Sequence, residues 1–288
     1  MNLDSMKEIL AAARREEKPL WEIIVETDME NRGATREDSF AKMSRAWHAM
    51  LEASDSYTGK RHSASGLVGG QGEQMRAYAA AGGAISGDFA AQVIAEALCM
   101  GESNACMRRI VAAPTAGACG VMPAVLIPLY RRDNIPEEKM LEAMFVASGI
   151  GAVIAYRACI AGASGGCQAE IGSASAMAAG ALVTLRGGAP EQVCHAVAMA
   201  LKNLLGLVCD PIAGLVEVPC VKRNVIGAMD ALSAAQMALA GIESRVPPDQ
   251  VLDAMAEVGR SLPHTLRETG KGGLAATPFG QQYAPKEL

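Results

Sequence analysis

Ser173-Ala174-Ser175-Ala176-Met177-Ala178-Ala179-Gly180-Ala181-Leu182 decides the architecture of this chain. The stretch has no charge, no proline and no alternation of β-branched residues. Wound as a helix over 173–186, it offers no polar face to water, so it belongs at the centre of a domain, packed on most of its sides. The text around it keeps the helical period. Ala189-Pro190-Glu191 opens a helix to about Leu205, Pro247-Pro248-Asp249 opens one through Arg260, and Asn134-Ile135-Pro136-Glu137-Glu138 starts another, each with proline at the first turn. Further helices are expected over 74–81 and 87–100.

The N-terminal part reads as three helices. Asp4 is placed to cap one through about Glu17. Pro19 begins a second, with Trp21, Ile24, Val25 and Met29 at helical spacing. Thr35 followed by Asp38 caps a third, carrying Phe40, Met43, Trp47, Met50 and Leu51. No alternating run predicts a sheet, and no internal repeat stands out. The expected fold class is all-α.

Of 288 residues half are hydrophobic, which supplies a sizeable core. The net charge is −5 and the basic residues are scattered, so no nucleic-acid partner is expected. Met1-Asn2-Leu3-Asp4-Ser5 has no signal pattern. The most apolar stretch, Ala143 to Ala163, contains Arg157, Ser148 and glycines, and reads as a buried, broken helix rather than a membrane span. Eight cysteines without a secretion signal indicate core thiols, metal ligands or nucleophiles in a reducing cytoplasm, not a disulfide framework.

Breaker-rich loops interrupt the helices at residues 56–73 and 113–123, and long loops inside compact domains are more often functional than idle. Three more breaker-rich pieces each carry a cysteine: Gly165-Gly166-Cys167-Gln168, Val208-Cys209-Asp210-Pro211 and Val218-Pro219-Cys220. No CxxC is present, which argues against zinc ribbons and ferredoxin-type runs. Glycine beside cysteine lets backbone and thiolate approach a bulky cluster closely. Three thiolate ligands would leave one iron of a cluster free to act as a Lewis acid. Cys99, Cys106, Cys159 and Cys194 lie in or beside alanine-rich helical text and read as core thiols. Cys119, in the 113–123 loop, competes with the three as a ligand on spacing alone.

The text around these cysteines resembles the α chain of the bacterial iron–sulfur-dependent L-serine dehydratases. The resemblance is carried by Ala113-Pro114-Thr115-Ala116-Gly117, by Ser164 to Ala174, and by the long string from Gly206 through Cys209-Asp210-Pro211 and Val218-Pro219-Cys220 to Asn224. Ser65-Gly66-Leu67-Val68-Gly69-Gly70 and Gly272 to Pro278 fit the same family. It spans about residues 20 to 280. It implies one all-helical catalytic domain over 1–288, with 1–55 as a helical part packed on it. It implies a [4Fe-4S] cluster held by Cys167, Cys209 and Cys220, one iron lacking a protein ligand, and deamination of L-serine to pyruvate and ammonia. Helical text begins almost at Met1, as in the two-chain form, which implies an ACT-like β chain as partner in a hetero-oligomer. Some fused relatives end in a cysteine that reaches the fourth iron, whereas this chain ends Pro285-Lys286-Glu287-Leu288. Ala116 stands where some members have Asn, so backbone groups of Thr115 to Gly117 are expected to meet substrate there.

Thr115, Ala116, Gly117, Ser65, Lys222 and Arg223 are the candidate substrate-binding residues. The fork of an arginine suits a carboxylate, although a solvated basic pair reads equally well for Lys222-Arg223. Glu170 and Asp210, beside two of the cysteines, read as supporting or capping groups. Among the four histidines, His48 and His195 lie in helical text and His264 follows Pro263; His62, in the long loop, is the best local candidate for a base, with the partner chain as the other source. Rival readings are a pyridoxal-phosphate enzyme, against which the absent sheet and the absent P-loop text after Gly72 both count, a cysteine desulfidase releasing sulfide, and a non-catalytic iron–sulfur sensor.

Overall fold

The computed structural model describes residues 4–82 and 84–284. Both Met1–Leu3 of the N-terminal reading and the Pro285–Leu288 tail lie outside them. Thirteen α-helices are present among the described residues, and no strand. Among the described residues the one piece of β pairing is an isolated parallel bridge between Cys209 and Arg267.

The first three helices are α1 (Met6–Glu16), α2 (Leu20–Arg32) and α3 (Arg36–Asp55). Thr35 and Asp38 close the capping box read from the sequence, each side chain accepting from the other's backbone. The cap of α1 differs from expectation. Ser5, not Asp4, accepts from Glu8 N at 3.0 Å. Asp249 then takes Met6 N and Lys7 N at 2.9 and 3.1 Å, satisfying donors that a helix start leaves orphaned. This ties α1 to α12 (Pro248–Ser261). Phe40 of α3 packs with its ring tilted against Phe145 at 5.0 Å and meets Trp21 edge-on at 6.2 Å. Met6, Ile9, Ile23, Ile24, Trp47 and Met50 belong to the same buried cluster as the central helices.

The chain continues through α4 (Gln71–Ala80), α5 (Asp88–Ala105), α6 (Val121–Asp133) and α7 (Glu137–Arg157). The loop expected over 113–123 ends at Gly120. Val121-Met122-Pro123 already form the first turn of α6, where proline forfeits no intrahelical bond. The apolar stretch from Ala143 breaks at Ala158, after α7. By length and composition α7 could cross a membrane, but 72% of its most apolar window is buried inside the protein. It packs against α9 (Ser173–Leu185), the helix that opened the sequence argument.

Every residue of α9 from Ser173 to Val183 is buried. Its neighbours are α6, α7, α10 (Pro190–Asn203) and α11 (Cys220–Leu239), which surround it. Gly180 shows why the surface must be small: a Cβ there would stand 2.2 Å from Ile150 Cδ1 of α7. Before α9 come the four-residue α8 (Gly162–Gly165) and a widened π turn, Gln168–Gly172, that runs straight into α9. Such turns inside α-helices recur at functional sites. The text after Gly270 forms a 3-10 turn, Gly273–Ala276, and the short α13 (Pro278–Gln281).

Candidate active site

Cys167 opens the π turn. Gly166 before it has φ +77°, a left-handed conformation, and a Cβ there would meet Leu262 Cδ1 at 2.6 Å, so glycine is required on both counts. Gln168 fixes the turn. Its backbone N–H donates to Leu207 O at 2.9 Å, its side-chain oxygen accepts from Gly206 N at 2.9 Å, and its amide donates to Met255 O at 3.0 Å. The segment that carries Cys209 is thereby held against Cys167.

Cys209 lies in the bridge to the C-terminal segment. Its N–H donates to Leu266 O at 2.9 Å and its carbonyl accepts from Glu268 N at 2.7 Å. Cys220 is not in a loop, as the sequence suggested, but is the first residue of α11. Pro219 precedes it at the cap and ends the breaker-rich text one residue early. As residues, Cys167, Cys209 and Cys220 are 2%, 2% and 8% exposed.

Burial pushes the Cys167 and Cys220 thiols up to about 12 and raises Cys209 further; Cys167 adds to the rise at both of the others, and Cys220 to that at Cys209. The three therefore share one buried neighbourhood. Among the described residues no three His, Cys, Asp or Glu side chains converge on a single metal ion. A lone tetrahedral ion would draw its sulfurs to within roughly 4 Å of one another, given a metal–sulfur bond of about 2.3 Å. A multi-iron cluster holds its thiolates farther apart. Three buried soft donors from three segments, Cys167 raising the cost of ionising both others and Cys220 that of Cys209, fit such a cationic core.

Cys119 points elsewhere. Its thiol donates to Met100 O at 3.6 Å in the core of α5, which removes the competitor that spacing allowed. Cys99 and Cys194 are buried as expected, whereas Cys106 and Cys159 are only partly so.

Arg223 lies on α11 three residues beyond Cys220. It donates to Val208 O and to Asp210 Oδ1, both at 2.8 Å, and it interacts with the Cys167 thiol. Its fork is already committed to joining the cysteine segments. Asp210 in turn accepts from Leu274 N at 2.8 Å, capping the 3-10 turn. Lys222, next to it, is exposed. Asn224 reaches across to the Thr115–Gly120 loop, donating to Gly117 O at 2.8 Å and accepting from Gly120 N at 2.8 Å.

That loop faces the π turn. Thr115 Oγ1 donates to Glu170 Oε1 at 2.7 Å. Burial raises the Glu170 pKa, the Thr115 hydrogen bond opposes the rise, and nearby Glu268 adds to it. Ala116 is exposed at the loop's tip. Ser65 sits in another group: its hydroxyl and that of Ser63 both donate to the buried Glu217, which anchors the 63–68 loop to the segment between Cys209 and Cys220.

Among the described residues no hydrogen bond joins a histidine to a cysteine. His48 pairs with Glu137 at 3.1 Å and His195 accepts from Ser244 N at 3.2 Å. His62 is exposed with its ring against Gly69, and His264 is exposed at the start of a 3-10 turn. The residue that sequence reasoning missed is Glu268. It has φ +61° and its carboxylate shares one small space with Glu170 and Cys209. The Gly-rich text of 270–273 marked the segment as irregular and gave no sign of where Glu268 points.

Residues 15–275 match the family model described as serine dehydratase alpha chain. The chain is 45% identical over 282 residues to the probable L-serine dehydratase, alpha chain, of Bacillus subtilis (strain 168), covering 98% of this chain and 94% of that one. It is 42% identical to the L-serine dehydratase, alpha chain, of Peptoniphilus asaccharolyticus, covering 97% and 96%. It is 46% identical over 181 residues to the L-serine dehydratase TdcG of Escherichia coli (strain K12), covering 62% of this chain but only 40% of the longer relative. With the helical fold and the three grouped thiols already in hand, near full-length matches of this kind place the chain in the serine dehydratase alpha chain family.

Proposed function

We propose that this chain is the catalytic α subunit of an L-serine dehydratase, converting L-serine to pyruvate and ammonia. The observation that carries the reading is the grouping of Cys167, Cys209 and Cys220, from three separate segments, beside the Thr115–Glu170 hydrogen bond. Those three cysteines would hold a [4Fe-4S] cluster. When bound, the cluster supplies a Lewis-acidic iron that makes the serine hydroxyl a better leaving group.

The chain's own residues do the rest of what falls to it. Gln168 and the Arg223–Asp210 pair hold the cysteine segments in fixed relation. Thr115 orients the Glu170 carboxylate, and Asn224 holds the neighbouring Gly117 carbonyl, fixing the loop beside it. All three cysteines are buried away from water. For the base that removes the α-proton, His62 in the long loop and the partner chain are the two candidate sources, His48 and His195 being engaged with Glu137 and Ser244. We read the whole chain as one catalytic domain, working with a separate ACT-like β chain in the cytoplasm.

The test is pyruvate formation from L-serine by the anaerobically purified chain, reconstituted with iron and sulfide, with and without its β chain. Turnover that needs both cluster and partner supports the reading. A full cluster with no turnover of serine in the complex overturns it.

A further inference from the structure

We propose that Glu217 is a positioning residue for serine turnover, acting through Ser63 and Ser65 to hold the turn 63–68 against the segment that leads into Cys220. The inference rests on the serine reading above and gives the Ser63–Ser65–Glu217 group a task in it.

Glu217 lies between two of the grouped cysteines and is buried. Its backbone carbonyl accepts from Val221 N at 3.0 Å, in the first turn of α11. Its side-chain Oε2 accepts from Ser63 Oγ at 2.7 Å and also from Ser65 Oγ. Each hydroxyl accepts in turn from the backbone of the turn: Ser63 Oγ from Val68 N at 3.3 Å, and Ser65 Oγ from Leu67 N at 3.1 Å. A serine hydroxyl has one proton to give, and both are given to Glu217. The Ser65 hydroxyl is therefore built into the turn, not free to donate to a substrate as the sequence suggested.

The turn closes on itself through Ser63 N to Val68 O at 2.8 Å and Gly66 N to Ser63 O at 3.0 Å. Val68 packs with Leu98 of α5 and with Val221, the residue after Cys220. The ends of the longer loop are held separately. Glu102 of α5 accepts from Tyr57 Oη at 2.5 Å, from Gln71 N at 2.8 Å and from Gly72 N at 3.3 Å. Among the described residues, the hydrogen bonds that leave residues 58–69 for another part of the chain are the two to Glu217. One carboxylate oxygen thus fixes the middle of the loop to the cysteine segment.

What the turn carries gives this its consequence. His62 enters it, exposed, and a Cβ on Gly69 would stand 2.8 Å from His62 Cδ2, so the two ends of the turn lie against each other. Ala64 and Gly66 are exposed at its tip. Where these groups stand relative to the Cys220 helix is set by the Glu217 contacts and by Val68. The task needs an acceptor oxygen, not a proton. Glutamine offers that oxygen to both hydroxyls, whereas alanine leaves them without an acceptor.

The experiment compares the cluster-loaded complex of this chain and its β chain with four variants: Glu217→Ala, Glu217→Gln, the Ser63→Ala/Ser65→Ala pair, and that pair combined with Glu217→Ala. Measured are kcat and KM for L-serine, iron and sulfide per chain, and the rate of tryptic cleavage after the exposed Arg61. Glu217→Ala should lower kcat/KM roughly tenfold or more and speed cleavage roughly tenfold or more, with iron and sulfide retained. Glu217→Gln should recover most of both losses. The serine pair should match Glu217→Ala, and the combined variant should be no worse than either, because all remove the same unit. Wild-type turnover and cleavage in Glu217→Ala overturn the proposal. So does a Glu217→Gln variant as impaired as the alanine one, which would give the acid a proton-carrying task, and so do losses that multiply in the combined variant. Iron lost in step with turnover also overturns it, since the effect would then run through the cysteine segment. A loaded wild-type complex that fails to turn over serine is a separate result, read before any variant: it overturns the serine reading and this inference with it.

Discussion

The Arg223 guanidinium lies 2.8 Å from the Asp210 carboxylate, with the two side chains only 11% and 6% exposed, and this pair joins the helix behind Cys220 to the residue after Cys209. Arg223 also donates to the Val208 carbonyl on the other side of Cys209. One side chain therefore brackets one cysteine from the helix of another. Removing one member of a buried pair costs about 3–5 kcal/mol, because the other is left charged and unpaired. Arg223→Ala should lower the melting temperature and reduce the iron bound per chain after reconstitution. Unchanged melting together with full iron loading would show that the pair does not hold these segments.

Gly162→Ala separates stability from function. Alanine is favoured over glycine in a helix by about 1 kcal/mol, so the short helix should tolerate it. The added methyl would stand 2.8 Å from Glu170 Oε2 and 3.1 Å from Cys209 Sγ, within the space the site needs. We expect kcat/KM for serine to fall roughly tenfold or more, which corresponds to about 1.4 kcal/mol of lost transition-state stabilisation, with melting unchanged. Wild-type turnover in this variant would mean that the face of Gly162 is not part of the site.

Asp230 on α11 accepts from Ser175 Oγ and Asn203 Nδ2, both at 2.6 Å, joining α11 to α9 and α10. Burial raises its carboxyl above the ordinary 3.8, against the pull of those two hydrogen bonds. The folded state thus holds the proton more tightly than the unfolded state. Its contribution to stability is complete below the unfolded value and is lost as pH rises through the folded one. In urea unfolding from about pH 3 to pH 7, Asp230→Asn should gain on the wild type as pH increases. A difference that is constant or that grows the other way would contradict the assignment.

Much of this architecture is legible in the sequence, for reasons that are local. A charge-free, small-residue stretch such as 173–182 has only one place to go, and Thr35 with Asp38 is a self-contained cap. Where the reading slipped, the deciding contact is distant. Ser5 rather than Asp4 starts α1 beside a carboxylate from Asp249. Cys220 reads as a loop residue because Pro219 precedes it, yet a proline at the cap starts α11 without loss. Arg223 sits in the polar text Lys222-Arg223-Asn224, and only the fold shows that Lys222 faces out while Arg223 and Asn224 are enclosed and bonded. Glu268 enters the site through the bridge between Cys209 and Arg267, and pairing between segments so far apart leaves no mark in either one.

The central claim is that Cys167, Cys209 and Cys220 form one ligand set, and its most direct test is a set of single alanine variants, reconstituted anaerobically with iron and sulfide and measured for both cluster absorbance and serine turnover with the β chain. We predict that Cys167→Ala, Cys209→Ala and Cys220→Ala each lose both, while Cys99→Ala and Cys194→Ala, buried in the helical core, keep both. Any of the first three that retains an intact cluster and full turnover would contradict the account.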